Sequence, residues 1–342
     1  MTEDTVAHRD LVVVGGSAGG LDALCRILAD LPADLPAAVL VVLHIPSEAK
    51  TFAADVLGRC GPLPASPAVD GEPIEPGRIY TPVPDRHLLV HGGLIRLSRS
   101  AKQNRARPAV DALFRSAARW YGARAVGVVL SGVLDDGAAG LAAIAQAGGA
   151  AIVQDPLDAM YAGMPSAALA VTPAAQAAAT ATLGAAVDRL VREPVAWDGA
   201  AKPDPELVTE VAMAESERAA ATTKSLPGRP VGISCPDCTG GMRLVGTAPA
   251  IHYLCHVGHS WSPHTLIAAQ QEKVEAALWT AVSMLEEQAH IHRDLANRAA
   301  AGDAGRTVAH QLAAADEILG AAAVIRKHFP ELLPEELRWS GE

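Results

Sequence analysis

The chain has 342 residues, half of them hydrophobic but few aromatic, and it carries a formal net charge of −10 at pH 7. That length suits one large domain with an appendage or two modest ones, with a core built from Ala, Val, Leu and Ile. The acidic balance argues against a nucleic-acid or anionic-membrane surface. The opening MTEDTVAHRD is polar and unlike a signal peptide, and no apolar run approaches the ~18 residues of a membrane span, so the expected location is cytoplasmic.

Leu11-Val12-Val13-Val14 reads as a strand buried on both faces, because its apolar run is continuous rather than alternating. It enters Gly15-Gly16-Ser17-Ala18-Gly19-Gly20, and a helix follows with Leu21, Leu24, Ile27 and Leu28 on one face. The turn fits G-x-S-x-G, in which glycines let a sharp bend present a serine hydroxyl above the sheet edge. The G-x-G-x-x-G register of a dinucleotide loop is missing, and there is no Lys-Ser/Thr pair for a P-loop. Ala38–Leu43 is a second buried strand and ends at His44-Ile45-Pro46. Cys25 and Cys60 stand alone and read as packing residues.

Residues 58–106 are rich in turn signals, with short strands at Arg78-Ile79-Tyr80 and Leu88-Leu89-Val90 and a hairpin across His91-Gly92-Gly93. A helix is expected from Pro108 in its first turn, then a third buried strand, Ala125–Leu130. This strand ends at Ser131-Gly132-Val133-Leu134-Asp135-Asp136-Gly137. A helix from Ala138, a fourth strand at Ala150–Val153 and further helix over 166–191 complete the first domain. Alternation of strands and helices predicts a doubly wound, mostly parallel α/β sheet. Ser17, His44 and one of Asp135 or Asp136 then gather beyond the C-terminal strand ends, where such sheets place their chemistry. A hydroxyl, an imidazole and a carboxylate are the parts of a nucleophilic triad, although the order Ser…His…Asp is not that of the α/β-hydrolases.

These pieces, with Asn104, Arg107-Pro108-Ala109-Val110-Asp111, Gln154-Asp155 and Gly163-Met164-Pro165, occur in the order of the chemotaxis protein-glutamate methylesterases. Residues 9–192 resemble the catalytic domain of that family, the CheB type. The resemblance implies a serine carboxylester hydrolase acting on γ-glutamyl methyl esters of methyl-accepting receptors, with deamidation of receptor glutamines as a second activity. It selects Ser17, His44 and Asp136 as the triad, with no cofactor for catalysis. Backbone N–H groups near Ala18 and Val133 are expected to stabilise the oxyanion, and the resemblance sets Arg107, Met164 and Pro165 along the substrate groove. Ala18, Ala109 and Gly132-Val133-Leu134 depart from the family's usual Thr, Ser and Gly-Met-Gly. The receiver domain common in the family is not expected before residue 9. A non-catalytic regulator that docks on a receptor or a signalling kinase is the alternative.

Residues 193–230 read as a proline-containing linker with one helix, long enough for the tail to lie across the catalytic edge or swing clear. The α/β part, 1–192, is then expected to fold and hydrolyse small esters alone. Over 231–262, Cys235-Pro236-Asp237-Cys238, sixteen residues, and Cys255-His256-Val257-Gly258-His259 give C-x₂-C and C-x₃-H, the spacing of a tetrahedral structural zinc ribbon. His259 has the best offset for the fourth ligand, with His256 and His252 nearby. Over 263–330, Ile267, Val274, Leu278, Ala281 and Leu285, and after a glycine break Val308, Leu312, Ala315, Leu319 and Ala322, predict an antiparallel helical hairpin.

Overall fold

A computed structural model of the chain describes residues 7–44, 52–196, 204–216, 226–300 and 305–328. The first elements are β1 (Ala7–His8), β2 (Leu11–Gly16), α1 (Gly20–Ala29), β3 (Ala38–Leu43), α2 (Ala53–Cys60), β4 (Ala65–Pro67), β5 (Ile79–Thr81), β6 (His87–His91) and β7 (Leu94–Ser98). Then come α3 (Val110–Tyr121), β8 (Ala125–Val129), α4 (Ala138–Gln146), β9 (Ala150–Gln154), α5 (Gly163–Val171), β10 (Gln176–Ala178), α6 (Thr180–Arg192) and β11 (Pro194–Val195). The tail holds α7 (Pro205–Glu215), β12 (Arg229–Ser234), β13 (Gly241–Val245), β14 (His252–Cys255), β15 (Ser260–Trp261), α8 (Pro263–Ala300) and α9 (Gly305–His328). Ile45 and Pro46 of the strand-end motif, and 197–203 and 217–225 of the expected linker, lie outside the described residues.

Seven parallel strands in the order β10-β9-β8-β2-β3-β5-β4 make the main sheet. The chain leaves β2 for β3 on one side and returns with β8 on the other, so the strand order reverses at β2, where open α/β sheets leave a crevice. Both faces of the central strands are covered. Val13, Leu40 and Val42 pack with Val110, Leu113 and Phe114 of α3, while Val12, Val14, Val39 and Val41 pack with Leu24, Ile27 and Leu28 of α1. Successive strand residues point to opposite faces, and each face needs an apolar side chain, which is why the strands carry unbroken apolar runs.

Several expectations need correction. Helix α3 begins at Val110, with Pro108 and the extended Ala109 ahead of it. Helix α2 and strands β10 and β12 were not anticipated. Cys25 and Cys60 form a disulfide, with Cα atoms 5.0 Å apart, because α1 and α2 pack side by side. The stretch after residue 192 is not a free linker where it is described. Asp204 caps α7 by accepting from Glu206 N–H, Pro205 starts the helix, and Leu207 and Val211 are buried in the same apolar cluster as α3. The four antiparallel strands β12-β13-β14-β15 follow, with Trp261 fully buried. Residues 1–266 form one compact unit that includes this ribbon, and 267–342 form a second.

The second unit is built from α8 and α9, which run antiparallel, with Glu286 paired to Arg326 at 2.7 Å and Arg293 to Asp316 at 3.7 Å. Its buried seam is only partly the one expected: Ala315 and Ala322 are buried as the pattern predicts, but Val274 and Leu312 are exposed, and on α8 the buried residues are Val282, Ala289 and Ala296, seven apart. By length and composition α9 is apolar enough to cross a membrane, with a mean hydropathy of 1.3 over its best window, which the reading of apolar runs did not anticipate.

Candidate active site and metal centre

Ser17 and His44 leave neighbouring strands in matching register: Gly16 is paired with Leu43, and His44 N–H donates to Gly16 carbonyl at 3.1 Å. Ser17 N–H donates to Ser131 carbonyl at 2.9 Å, which ties in the end of β8. Three strand ends thus converge on one point. The turn after Ser17 closes through Gly19, whose φ of +73° favours glycine, and α1 starts at once. Gly132 answers a different demand. A Cβ there would stand 2.1 Å from Met164 Sδ and 2.9 Å from Ser17 Cβ, so only glycine fits between the serine and the methionine behind it.

Asp136 rather than Asp135 meets the histidine. Its Oδ2 lies 2.7 Å from His44 Nε2 and accepts Val110 N–H at 2.7 Å, while Oδ1 accepts Asn104 Nδ2 at 2.8 Å and Asp111 N–H at 3.1 Å. The carboxylate therefore receives the first two N–H groups of α3 as well as two side chains. Burial alone would raise its pKa, but the His44, Asn104 and Val110 donors outweigh burial and bring it down to about 2. A charged carboxylate only accepts, so Nε2 of His44 carries the proton and Nδ1 is left as the basic nitrogen.

Asp111, the second residue of α3, accepts Gly140 N–H at 2.7 Å and the second Nδ2 proton of Asn104 at 2.9 Å. Burial pushes its carboxyl up to about 6 against the pull of Arg115. Two acceptor carboxylates on one side of Asn104 fix its amide orientation, because only the nitrogen end can donate to both. Its Oδ1 then accepts Ser262 N–H at 2.7 Å, and its own N–H donates to Ser260 carbonyl at 2.7 Å.

Asp135 turns the other way, to the start of α8. His264 donates to it from its backbone at 3.2 Å and stands within 2.9 Å through Nδ1, Thr265 Oγ1 donates at 2.9 Å, and the Ser262 hydroxyl donates to it as well. The sequence reading held Asp135 only as the alternative triad carboxylate and Asn104 only as a piece of the family resemblance, with no role of its own. For Asn104 the local signal is its φ of +49°, which asparagine adopts more readily than other non-glycine residues.

The expected groove residues are placed differently. Arg107 donates to Asp85 Oδ1 from Nε at 3.0 Å and to the Ser100 carbonyl at 2.7 Å, so its guanidinium fastens a loop. Met164 and Pro165 are buried, with Met164 backing Gly132. The surface near the serine is instead made by Val133 and Leu134, which follow Gly132, and by Met160 and Tyr161, all exposed. Met160 lies against Gly19, and Tyr161 carbonyl accepts Gly132 N–H at 3.1 Å.

In the ribbon, one ligand atom each from Cys235, Cys238, Cys255 and His259 lies within 4.8 Å of every other. Cys238 and Cys255 sulfurs are 3.6 Å apart, and His259 Nδ1 is 3.5 Å from Cys255 Sγ and 3.7 Å from Cys235 Sγ. A tetrahedron with metal–sulfur bonds of about 2.3 Å and metal–nitrogen bonds of about 2.0 Å has edges of roughly 3.5–3.8 Å. The donor set fits zinc. His259 Nε2 is 3.9 Å from Asp237, a carboxylate placed to orient the ring. Of the alternatives, His252 is buried and bonded to Glu210 at 2.7 Å, and His256 is not in the cluster.

The CheB methylesterase family matches residues 12–187. A protein-glutamate methylesterase/protein-glutamine glutaminase of Xanthomonas oryzae pv. oryzae is 43% identical over 162 residues, which are 46% of this chain and 45% of that one. A protein of the same description from Myxococcus xanthus is 42% identical over 156 residues, 45% of this chain and 44% of that one. The chain thus spans less than half the length of these curated relatives. The crystal structure of the Thermotoga maritima CheB methylesterase catalytic domain is similar with a TM-score of 0.52 and 30% identity, over 54% of this chain and 100% of that one.

Proposed function

The chain belongs to the CheB methylesterase family, and we propose that it hydrolyses γ-glutamyl methyl esters of methyl-accepting receptor proteins and deamidates receptor glutamines. The observation that carries this is the 2.7 Å contact between Asp136 and His44, with Ser17 on the adjacent strand end. The relatives named as methylesterases and glutaminases supply the substrate class.

Ser17 Oγ attacks the ester carbonyl carbon as His44 Nδ1 takes its proton. Asp136 holds the ring by Nε2 and stabilises the imidazolium. The N–H groups of Ala18, at the start of α1, and Val133 face the developing oxyanion. His44 returns the proton to the leaving methoxide, methanol departs, and a water activated by the same nitrogen frees the glutamate. With an amide substrate, ammonia leaves in place of methanol. The exposed Val133, Met160 and Tyr161 beside the serine suit a protein surface as substrate.

Cys235, Cys238, Cys255 and His259 hold one structural zinc ion in this proposal. Four protein ligands close the site to water, so the metal stabilises the ribbon and takes no part in the reaction. The cytoplasm is the expected site of action. Methanol release from methyl-labelled receptors tests the proposal: it is expected with the unchanged chain and lost with Ser17→Ala. No release with either protein would leave the regulator reading standing.

A further inference from the structure

The catalytic acid has a support that comes from outside the α/β domain. Asn104 is 8% exposed and uses every polar atom of its side chain: one Nδ2 proton goes to Asp136, the other to Asp111, and Oδ1 accepts Ser262 N–H, while the backbone N–H donates to Ser260 carbonyl. Ser260 and Ser262 flank Trp261 at the end of the ribbon sheet, and Ser260 directly follows the cluster residue His259. Asp135, next to Asp136 in the chain, is bound by Ser262, His264 and Thr265. Two successive aspartates at the end of β8 are therefore held by the ribbon, Asp135 directly and Asp136 through a single amide.

We propose that Asn104 is a positioning residue for Asp136 and that the ribbon's Ser260–Ser262 segment sets its place, so that the folded ribbon is part of what makes the triad competent. This rests on the esterase reading for its kinetic consequence, but the geometry it asserts is independent of activity. Without Nδ2, one oxygen of Asp136 loses a donor in a water-poor site, and the carboxylate is free to turn away from His44. If the ribbon were unfolded, Asn104 would keep its donors but lose the two bonds that aim them. The backbone at Asn104 is left-handed, so removing the side chain as glycine leaves the turn unstrained.

The test compares the full chain with Asn104→Gly, Asn104→Asp, Cys238→Ser and the Asn104→Gly/Cys238→Ser pair. Two quantities are read: kcat and KM on p-nitrophenyl acetate, and the downfield imidazole N–H resonance of the His44–Asp136 hydrogen bond. Asn104→Gly is expected to lower kcat about 10- to 100-fold, the loss of one charge-assisted bond, with KM little changed and the resonance shifted or lost. Asn104→Asp cannot donate to Asp136 and should behave alike, which covers the case of a glycine variant that does not fold. Cys238→Ser should shift the same resonance, and the pair should be no worse than the worse single change. Unchanged resonance and kcat in both Asn104 variants would overturn the proposal, as would multiplicative losses in the pair. If the unchanged chain and Ser17→Ala hydrolyse the ester equally, the esterase reading fails, and the resonance alone still decides the role of Asn104.

Discussion

At the scale of single residues, the site separates what acts from what holds. Ser17→Ala removes a hydroxyl on a turn, and its cost to the fold is small. Hydrolysis should nevertheless fall by about ten-thousand- to a millionfold, and His44→Gln added to it should cost little more, because triad members act as one unit. Rates that multiply across the two changes would mean separate roles. The two buried carboxyls that share the Nδ2 of Asn104 titrate in opposite directions. Asp136 is depressed to about 2 from 3.8, so its contribution to stability is complete above the ordinary carboxyl value and is lost as pH falls toward about 2. Asp111 is raised to about 6, so its contribution is complete below the ordinary value and is lost as pH rises through about 6. Thermal melting against pH should therefore lose its alkaline-side decline in Asp111→Asn and its acid-side decline in Asp136→Asn. Identical profiles in both variants would contradict these assignments. Ser17 and His44 were legible because each follows a buried strand. Asp135 and Asp136 were not separable by spacing, since both leave the same strand end and only the packing of α3 decides which one turns inward. Asn104 stood out only through the family resemblance and its role was not legible, because its partner Ser262 is 158 positions away.

At the scale of elements, the continuous apolar runs located the sheet because both of its faces are covered. The hairpin of helices was legible as a pattern, but its seam only in part. Ala315 and Ala322 fell in the expected pattern, but Ala289 and Ala296 carry the burial on α8, and alanine is too common in this chain to stand out there against the larger Val274. The elbow makes a sharper prediction. Gly132→Ala puts a methyl group between Met164 and Ser17, with 2.1 Å and 2.9 Å available. Either Met164 moves, at about 1–3 kcal/mol of overpacking, or the serine does. Activity should fall further than stability, and Gly132→Ala with Met164→Ala should recover part of it. No recovery would show that the clash is not with Met164. With the proposed zinc in the ribbon, its binding would be folding free energy on the order of 10 kcal/mol. Elemental analysis of the full chain should find about one zinc per chain, and Cys238→Ser should remove it. Full chain prepared without chelators yet free of zinc would overturn the donor set.

At the scale of the whole molecule, the tail has two unlike parts. The sequence reading treated everything after residue 192 as appended and expected residues 1–192 to be self-sufficient. That expectation has support in the Thermotoga maritima domain, all of which is matched by 54% of this chain. Against it stand the contacts of α7 and the ribbon. Leu207 and Val211 are buried in the cluster that holds α3, at about 1.5–3 kcal/mol for each fully buried side chain. Glu210, its side chain mostly buried, is kept charged by His252 at 2.7 Å and by Arg115 at 3.5 Å. Arg115 sits on α3 one turn beyond Asp111, so the helix whose first N–H groups hold Asp136 is covered along one side by the tail. Ending the chain at residue 192 uncovers that side and strips Asn104 of Ser260 and Ser262 together. Ending it at residue 266 removes only the second compact unit. The 1–192 chain is therefore expected to melt below the full chain and to hydrolyse p-nitrophenyl acetate about 10- to 100-fold more slowly. The 1–266 chain should match the full chain in kcat while differing on receptors if the helical hairpin docks there. Equal kcat for 1–192 and 1–266 would return the ribbon to the status of an appendage, because the support it lends Asp136 would then be one that the α/β domain supplies by itself.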